Sequence, residues 1–141
     1  MSLFRRKPSA EQLQAWIPPV VRFAGVEQIE IDEANSSLAT EFVVGENNVQ
    51  PHNILHGGVS VLVAETLGSI AGNLCLDEPY AAVGQTLSAS HIRAAANGAR
   101  LKAVTTAVHI GKRSHVWNTD LTDEKNRLIS RIILTLAIIQ R

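Results

Sequence analysis

Cysteine is nearly absent from the sequence: Cys75 stands alone in 141 residues. One thiol cannot build a disulfide framework, which excludes a stapled secreted scaffold and suits the cytoplasm. Because Cys75 lies in an apolar stretch, it reads as a small buried hydrophobe rather than a reactive nucleophile. An excess of charge of one sign is missing too, since 13 basic residues face 13 acidic ones and the basic ones are scattered. Nothing here makes the electrostatic footprint of a nucleic-acid binder. No uninterrupted apolar run reaches the length of a membrane span, because Glu65 and Asn73 interrupt the best candidate. The basic leader Met1–Lys7 resembles the start of a signal peptide without the apolar segment that must follow, so neither secretion nor a membrane is expected and the leader should fray. Also missing are a Gly-x-Ser-x-Gly elbow, a phosphate-cradling glycine loop, internal repeats and low-complexity segments. His52 and His56 have helical metal-pair spacing, but Pro51 before and Gly57-Gly58 after them disfavour a helix there.

What is present points to one domain over residues 1–141, with 1–19 as a leader and short helix, and 45% hydrophobic residues are enough to bury a core. Ser9 followed by Gln12 is a capping-box pattern for a short helix to about Trp16, ended by Pro18-Pro19. Val26–Asp32 and Leu38–Val44 alternate apolar and polar residues around the turn residues Asn35-Ser36-Ser37, which predicts a hairpin. Ala81–Arg93, Arg100–Ile110, Ser114–Thr122 and Leu128–Ile139 read as further strands, separated by Asn97-Gly98, Gly111-Lys112-Arg113 and Asp123–Asn126. Between hairpin and strands runs the stretch from His52 to Leu76, apolar after Gly58 on every face, as in a helix enclosed by protein all round. The class is α+β, most simply a largely antiparallel sheet wrapped around one long helix.

The exception on that helix is Glu65. An isolated carboxylate in an apolar helix costs several kcal/mol unless it is paired, solvated by a cleft or protonated. It has company: Gly57-Gly58 heads the same helix, where free N–H groups and the positive dipole end favour developing negative charge, and Ser69 lies one turn beyond. Gly57 and Glu65 are eight residues apart, about 12 Å along one helix, so they cannot hold one reacting carbon between them. If both act at one centre, the helix start must come from a second copy, as two antiparallel central helices across a two-fold axis would supply.

Several stretches together resemble the hotdog-fold acyl-CoA thioesterases: Gln50-Pro51, Leu55-His56-Gly57-Gly58, Ala64-Glu65-Thr66-Leu67-Gly68-Ser69, Ser90-His91-Ile92-Arg93 and Gly111-Lys112-Arg113-Ser114-His115-Val116-Trp117. Within them the chain is similar to the aryl-CoA hydrolases that include dihydroxynaphthoyl-CoA thioesterases and enterobactin-pathway proofreading thioesterases. The resemblance implies a sheet wrapped on the central helix, homodimers with shared active sites, and a dimer-of-dimers tetramer. It implies an aryl- or medium-chain acyl thioester of CoA or of acyl carrier protein as substrate, and no cofactor beyond the CoA of that substrate. Glu65 would then be the catalytic carboxylate, as nucleophile or as general base on water. The Gly57 N–H would polarise the thioester oxygen with Gln50 beside it, His56 would hold the thioester end, and Ser69 would orient water or carboxylate. His91 and Arg93 would lie along the pantetheine and nucleotide path, with Lys112, Arg113 and Ser114 toward the phosphates. Val49 stands where a basic residue is expected and Ser90 where asparagine is common, which bears on the acyl pocket. A second reading, an acyl-CoA-sensing module without turnover or a related hydratase, uses the same fold. Glu65 with Gln50 and Gly57 favours the hydrolase, and about 20 residues before the first strand are too few for a helix-turn-helix output unit.

Overall fold

The computed structural model describes every residue from Met1 to Arg141. Two short helices, α1 (Ala10–Ala15) and α2 (Pro19–Phe23), lead into β1 (Glu30–Asp32) and β2 (Ser37–Val43). The long helix α3 (Gly57–Leu74) follows, and then β3 (Tyr80–His91), β4 (Arg100–Ile110), β5 (Ser114–Thr122) and β6 (Leu128–Gln140). All strand pairs are antiparallel in one sheet of order β1-β2-β4-β5-β6-β3. The helix carries the chain from the β2 side to the opposite edge and packs against β2 through β6 on the way. This is the expected hotdog arrangement, a sheet curled on one helix.

Small residues set how deeply α3 lies in that sheet. Alternation along β6 turns Ile132, Leu134 and Leu136 into the core, each at most 2% exposed. Opposite them the helix offers Ala64, Gly68, Ala71 and Gly72. A Cβ at Gly68 would stand 2.6 Å from Leu134 Cδ2, and one at Gly72 would stand 2.4 Å from Leu136 Cδ1. The leucines therefore occupy the space that helix side chains would fill, and each buried leucine contributes about 1.5–3 kcal/mol. Asn73, which interrupts the apolar run, ties helix to sheet. Its amide donates to the Ala82 carbonyl at 2.9 Å and accepts from the Ala82 N–H at 3.0 Å. Strand β3 has β6 as its one strand neighbour, so apart from Ala82 its other edge lies open.

Three expectations need correction. The leader does not fray: Phe4 is buried and stacks on Trp117, and the N–H groups of Arg5 and Arg6 donate to the Leu74 carbonyl at 2.8 and 3.1 Å. Arg5 also pairs with Asp77, and Arg6 donates to the Leu76 carbonyl, so the arginines satisfy the carbonyl end of α3, where the helix dipole favours positive charge. Pro18-Pro19 ends α1, whose Ser9–Gln12 capping box is present, but it also opens α2, because proline at a first helical position gives up no needed hydrogen bond. This places β1 at Glu30 rather than Val26, whose N–H closes α2 by donating to the Val21 carbonyl. Finally, α3 is not enclosed all round by its own chain. The sheet covers one side, while Gly58 and Glu65 are exposed and Val61, Leu62, Thr66 and Ser69 are half-buried. No helix is long and apolar enough to cross a membrane.

Candidate active site

The site is built where the β2–α3 loop delivers the chain to the helix. Asn48, 4% exposed, organises that loop: its side chain donates to the carbonyls of Ala24 and Val43 and accepts from the Gly45 N–H, while its own carbonyl accepts from the His56 N–H. The next turn closes on itself, with the Gln50 N–H donating to Ile54 and the Asn53 N–H to Gln50, so Gln50 is held at the mouth of the helix. Its side-chain oxygen accepts from the His52 N–H, which leaves the amide NH2 free to donate elsewhere. His56 is the N-cap, and its Nδ1 accepts from the Gly58 N–H at 2.9 Å. That cap satisfies the second amide of the helix and leaves the Gly57 N–H without an acceptor in the chain.

His91, at the end of β3, lies against Gly57. A Cβ on Gly57 would come within 2.7 Å of His91 Nε2, so glycine is what admits the ring. Two buried hydroxyls anchor the ring from behind: His91 Nδ1 and Ser130 Oγ are 3.1 Å apart, and Ser130 reaches Ser60 of α3 at 3.5 Å. Gln50, Gly57, Ser60, His91, Arg93 and Ser130 together line a cavity of about 290 Å³. No carboxylate lines it, and the Arg93 guanidinium has no ion-pair partner. With the positive end of α3, the cavity favours negative charge.

Glu65 is elsewhere, at the border of the side of α3 that the sheet leaves open, with its carboxylate over Gly84 of the edge strand β3 and Ser69 one turn further along the helix. Lys112, Arg113 and Ser114 form the β4–β5 turn and the start of β5. Lys112 lines a different cavity, of about 580 Å³, with Cys75, Tyr80 and His115 at the carbonyl end of α3. One chain thus brings together Gln50, Gly57, His91 and Arg93, with His56 capping the helix beside them, and keeps Glu65, Ser69 and the Lys112–Ser114 turn apart from them. A hollow of about 490 Å³ beside β2, lined among others by Glu27, Glu41 and Lys102, contains none of these groups. No group of three or more His, Cys, Asp or Glu side chains converges closely enough to hold a metal ion. Sequence reasoning missed Ser60, Ser130, Asn48 and Gly84. The serines could have been suspected as polar residues inside apolar runs, whereas nothing local marks Gly84.

A hotdog sheet on one long helix, with a free amide opening at the helix start into a cleft lined half by apolar residues, places the chain in the class of hotdog-fold proteins. The chain belongs to the thioesterase superfamily, whose family model matches residues 52–130. It is similar to the 1,4-dihydroxy-2-naphthoyl-CoA hydrolase of Escherichia coli, 39% identical over 105 residues that cover 74% of this chain and 76% of the relative. It is 32% identical to the proofreading thioesterase EntH of Cronobacter turicensis over 137 residues, 96% of this chain and 98% of the relative. Among solved structures, a thioesterase of Pseudomonas aeruginosa superposes with a TM-score of 0.90 at 34% identity, covering 99% of this chain and 100% of that one. The protein is accordingly a thioester hydrolase.

Proposed function

We propose that the protein hydrolyses acyl-CoA thioesters, with an aryl or medium-chain acyl group, at sites shared between two copies of the chain. The observation that carries this reading is the separation of the two halves of the chemistry: a donor-lined cavity without a carboxylate, and an exposed carboxylate about 12 Å along the same helix. Two chains joined along the open β3 edge, with their helices antiparallel, bring Glu65 of one to the Gly57 cleft of the other. The same pairing carries Lys112, Arg113 and Ser114 of one copy toward the cleft of its neighbour, beside Arg93, where CoA phosphates would lie.

In that site the Gly57 N–H and the Gln50 amide donate to the thioester oxygen as it gains charge. The Glu65 carboxylate either attacks the carbonyl carbon or removes a proton from the attacking water, with Ser69 orienting one or the other. The carbon–sulfur bond breaks, the thiolate of CoA takes a proton, and one water has been consumed. Water and the thioester are the only reactants, so no cofactor is needed. The dihydroxynaphthoyl-CoA hydrolase relative supports an aryl-CoA substrate, and the 4% aromatic content means that such a ring would pack mainly on aliphatic side chains.

The experiment is turnover of a panel of aryl- and alkyl-CoA thioesters and one carrier-protein thioester, read as released thiol. Glu65→Ala should lower kcat by orders of magnitude with binding retained. Near wild-type turnover in that variant removes the carboxylate role, and tight binding with no turnover of any panel member favours the sensing module. Mixing Gln50→Ala with Glu65→Ala chains rebuilds one intact site per mixed dimer, so activity should return. Mixed dimers that form, as shown by two tags purifying together, yet stay inactive would mean that the two groups do not meet across an interface.

A further inference from the structure

Strand β3 is not regular. Its ladder with β6 pairs Gly84 with Leu136 and Thr86 with Thr135, so Gln85 is an extra residue with no opposite number. Side chains alternate faces along a strand, and one inserted residue exchanges the faces of everything after it. Before the bulge the even positions face α3: Ala82 lies against Gly72, and Gly84 lies against Glu65. After it the odd positions do, since Leu87, Ala89 and His91 stand opposite Leu134, Ile132 and Ser130, the residues that β6 turns to the helix. The bulge is thus what lets one strand place Gly84 beneath Glu65 and His91 over Gly57.

At exposed position 84 the Glu65 side chain occupies the place that a side chain would take. A Cβ there would stand 2.6 Å from Glu65 Oε1 and 3.5 Å from its Cδ. Backbone conformation does not demand glycine, because the glycines with positive φ are Gly25 and Gly98. Nor can the strand retreat freely, since Asn73 clamps both backbone groups of Ala82 to the helix. What can move is the exposed end of the Glu65 side chain. A methyl group at 84 therefore costs the fold little and displaces the carboxylate.

We propose that Gly84, presented to the helix ahead of the Gln85 bulge, is a positioning residue whose missing side chain seats the Glu65 carboxylate within reach of the thioester. This rests on the catalytic role proposed above for Glu65. Oε1 must withdraw from 2.6 Å to the 3.4 Å of ordinary contact, a shift of about 0.8 Å. Misplacing a reacting group by about 1 Å can cost about 10²-fold in rate.

The test is Gly84→Ala in the full chain, assayed against a CoA thioester that the wild type turns over. Expected are a kcat lowered by about 10²-fold, a KM changed by less than about threefold, and an unchanged urea midpoint. In a Glu65→Asp background, where the shorter side chain no longer reaches the new methyl, Gly84→Ala should lower kcat no further. Wild-type kcat in Gly84→Ala overturns the proposal, and so does a loss that tracks a lowered urea midpoint or one that repeats in full in the Glu65→Asp background. If Glu65→Ala is impaired while Gly84→Ala is not, the positioning role alone fails. If Glu65→Ala turns over normally, the underlying reading has failed first.

Discussion

Replacing Gly72 by alanine sets two local effects against each other, and the structure says which wins. Gly72 lies in the last turn of α3, where alanine is favoured over glycine by at most about 1 kcal/mol. The added methyl would stand 2.4 Å from Leu136 Cδ1 and 3.2 Å from the Ala82 Cβ, and Leu136 is fully buried, so the leucine has nowhere to swing. Overpacking of this kind costs about 1–3 kcal/mol, which leaves Gly72→Ala destabilising by roughly 0–3 kcal/mol. Leu136→Ala alone should cost about 2–5 kcal/mol. With Leu136 truncated the 2.4 Å collision is gone and the 3.2 Å approach to Ala82 remains, so Gly72→Ala should then be between neutral and stabilising by about 1 kcal/mol, a coupling of about 1–3 kcal/mol between the sites. The assay is urea unfolding of wild type, both single variants and the double variant at one fixed protein concentration, since association raises apparent stability. An effect of Gly72→Ala that is the same in both backgrounds would refute the claim that β6 leucines set the depth of α3.

Burial, with the Arg5 charge opposing it weakly, pushes the Cys75 thiol up to about 11, so at pH 8 only about one part in 10³ is thiolate. Iodoacetamide should leave Cys75 unmodified in the folded protein and alkylate it in urea, and rapid native modification detected by mass spectrometry would contradict its burial. His115, 1% exposed, is held below the ordinary imidazole range by burial, with the charge of His109 adding to it. The unfolded chain therefore takes up this proton first, and the stability contributed by His115 is fully present above about pH 6.5 and is lost as pH falls through that value toward the folded pKa. Urea midpoints measured from pH 8 to pH 5 should fall more steeply for wild type than for His115→Asn, and parallel curves would remove the assignment.

Much of this molecule was legible because its signals are local. The ends of β4 and β5 agree with their turn residues, the α1 capping box forms as written, and Glu65 stood out as a lone charge in an apolar run. Periodicity, capping and turn chemistry act over a few residues, and a single chain carries them in full. Helix arithmetic alone also set Gly57 and Glu65 about 12 Å apart, and both lie on the one continuous helix α3. Tertiary structure decided what depends on residues distant in sequence. The leader docks because the carbonyl end of α3 and Trp117 meet Arg5, Arg6 and Phe4, so a segment that reads locally as a frayed end is ordered by remote partners. Gln85 is an extra residue only relative to β6, so the exchange of faces that sets Gly84 under Glu65 and His91 over Gly57 exists in the pairing and not in the residues of β3 alone. Likewise the exposure of Glu65 follows from a sheet that covers one side of its helix, a matter of packing that the hydrophobicity of α3 could not disclose.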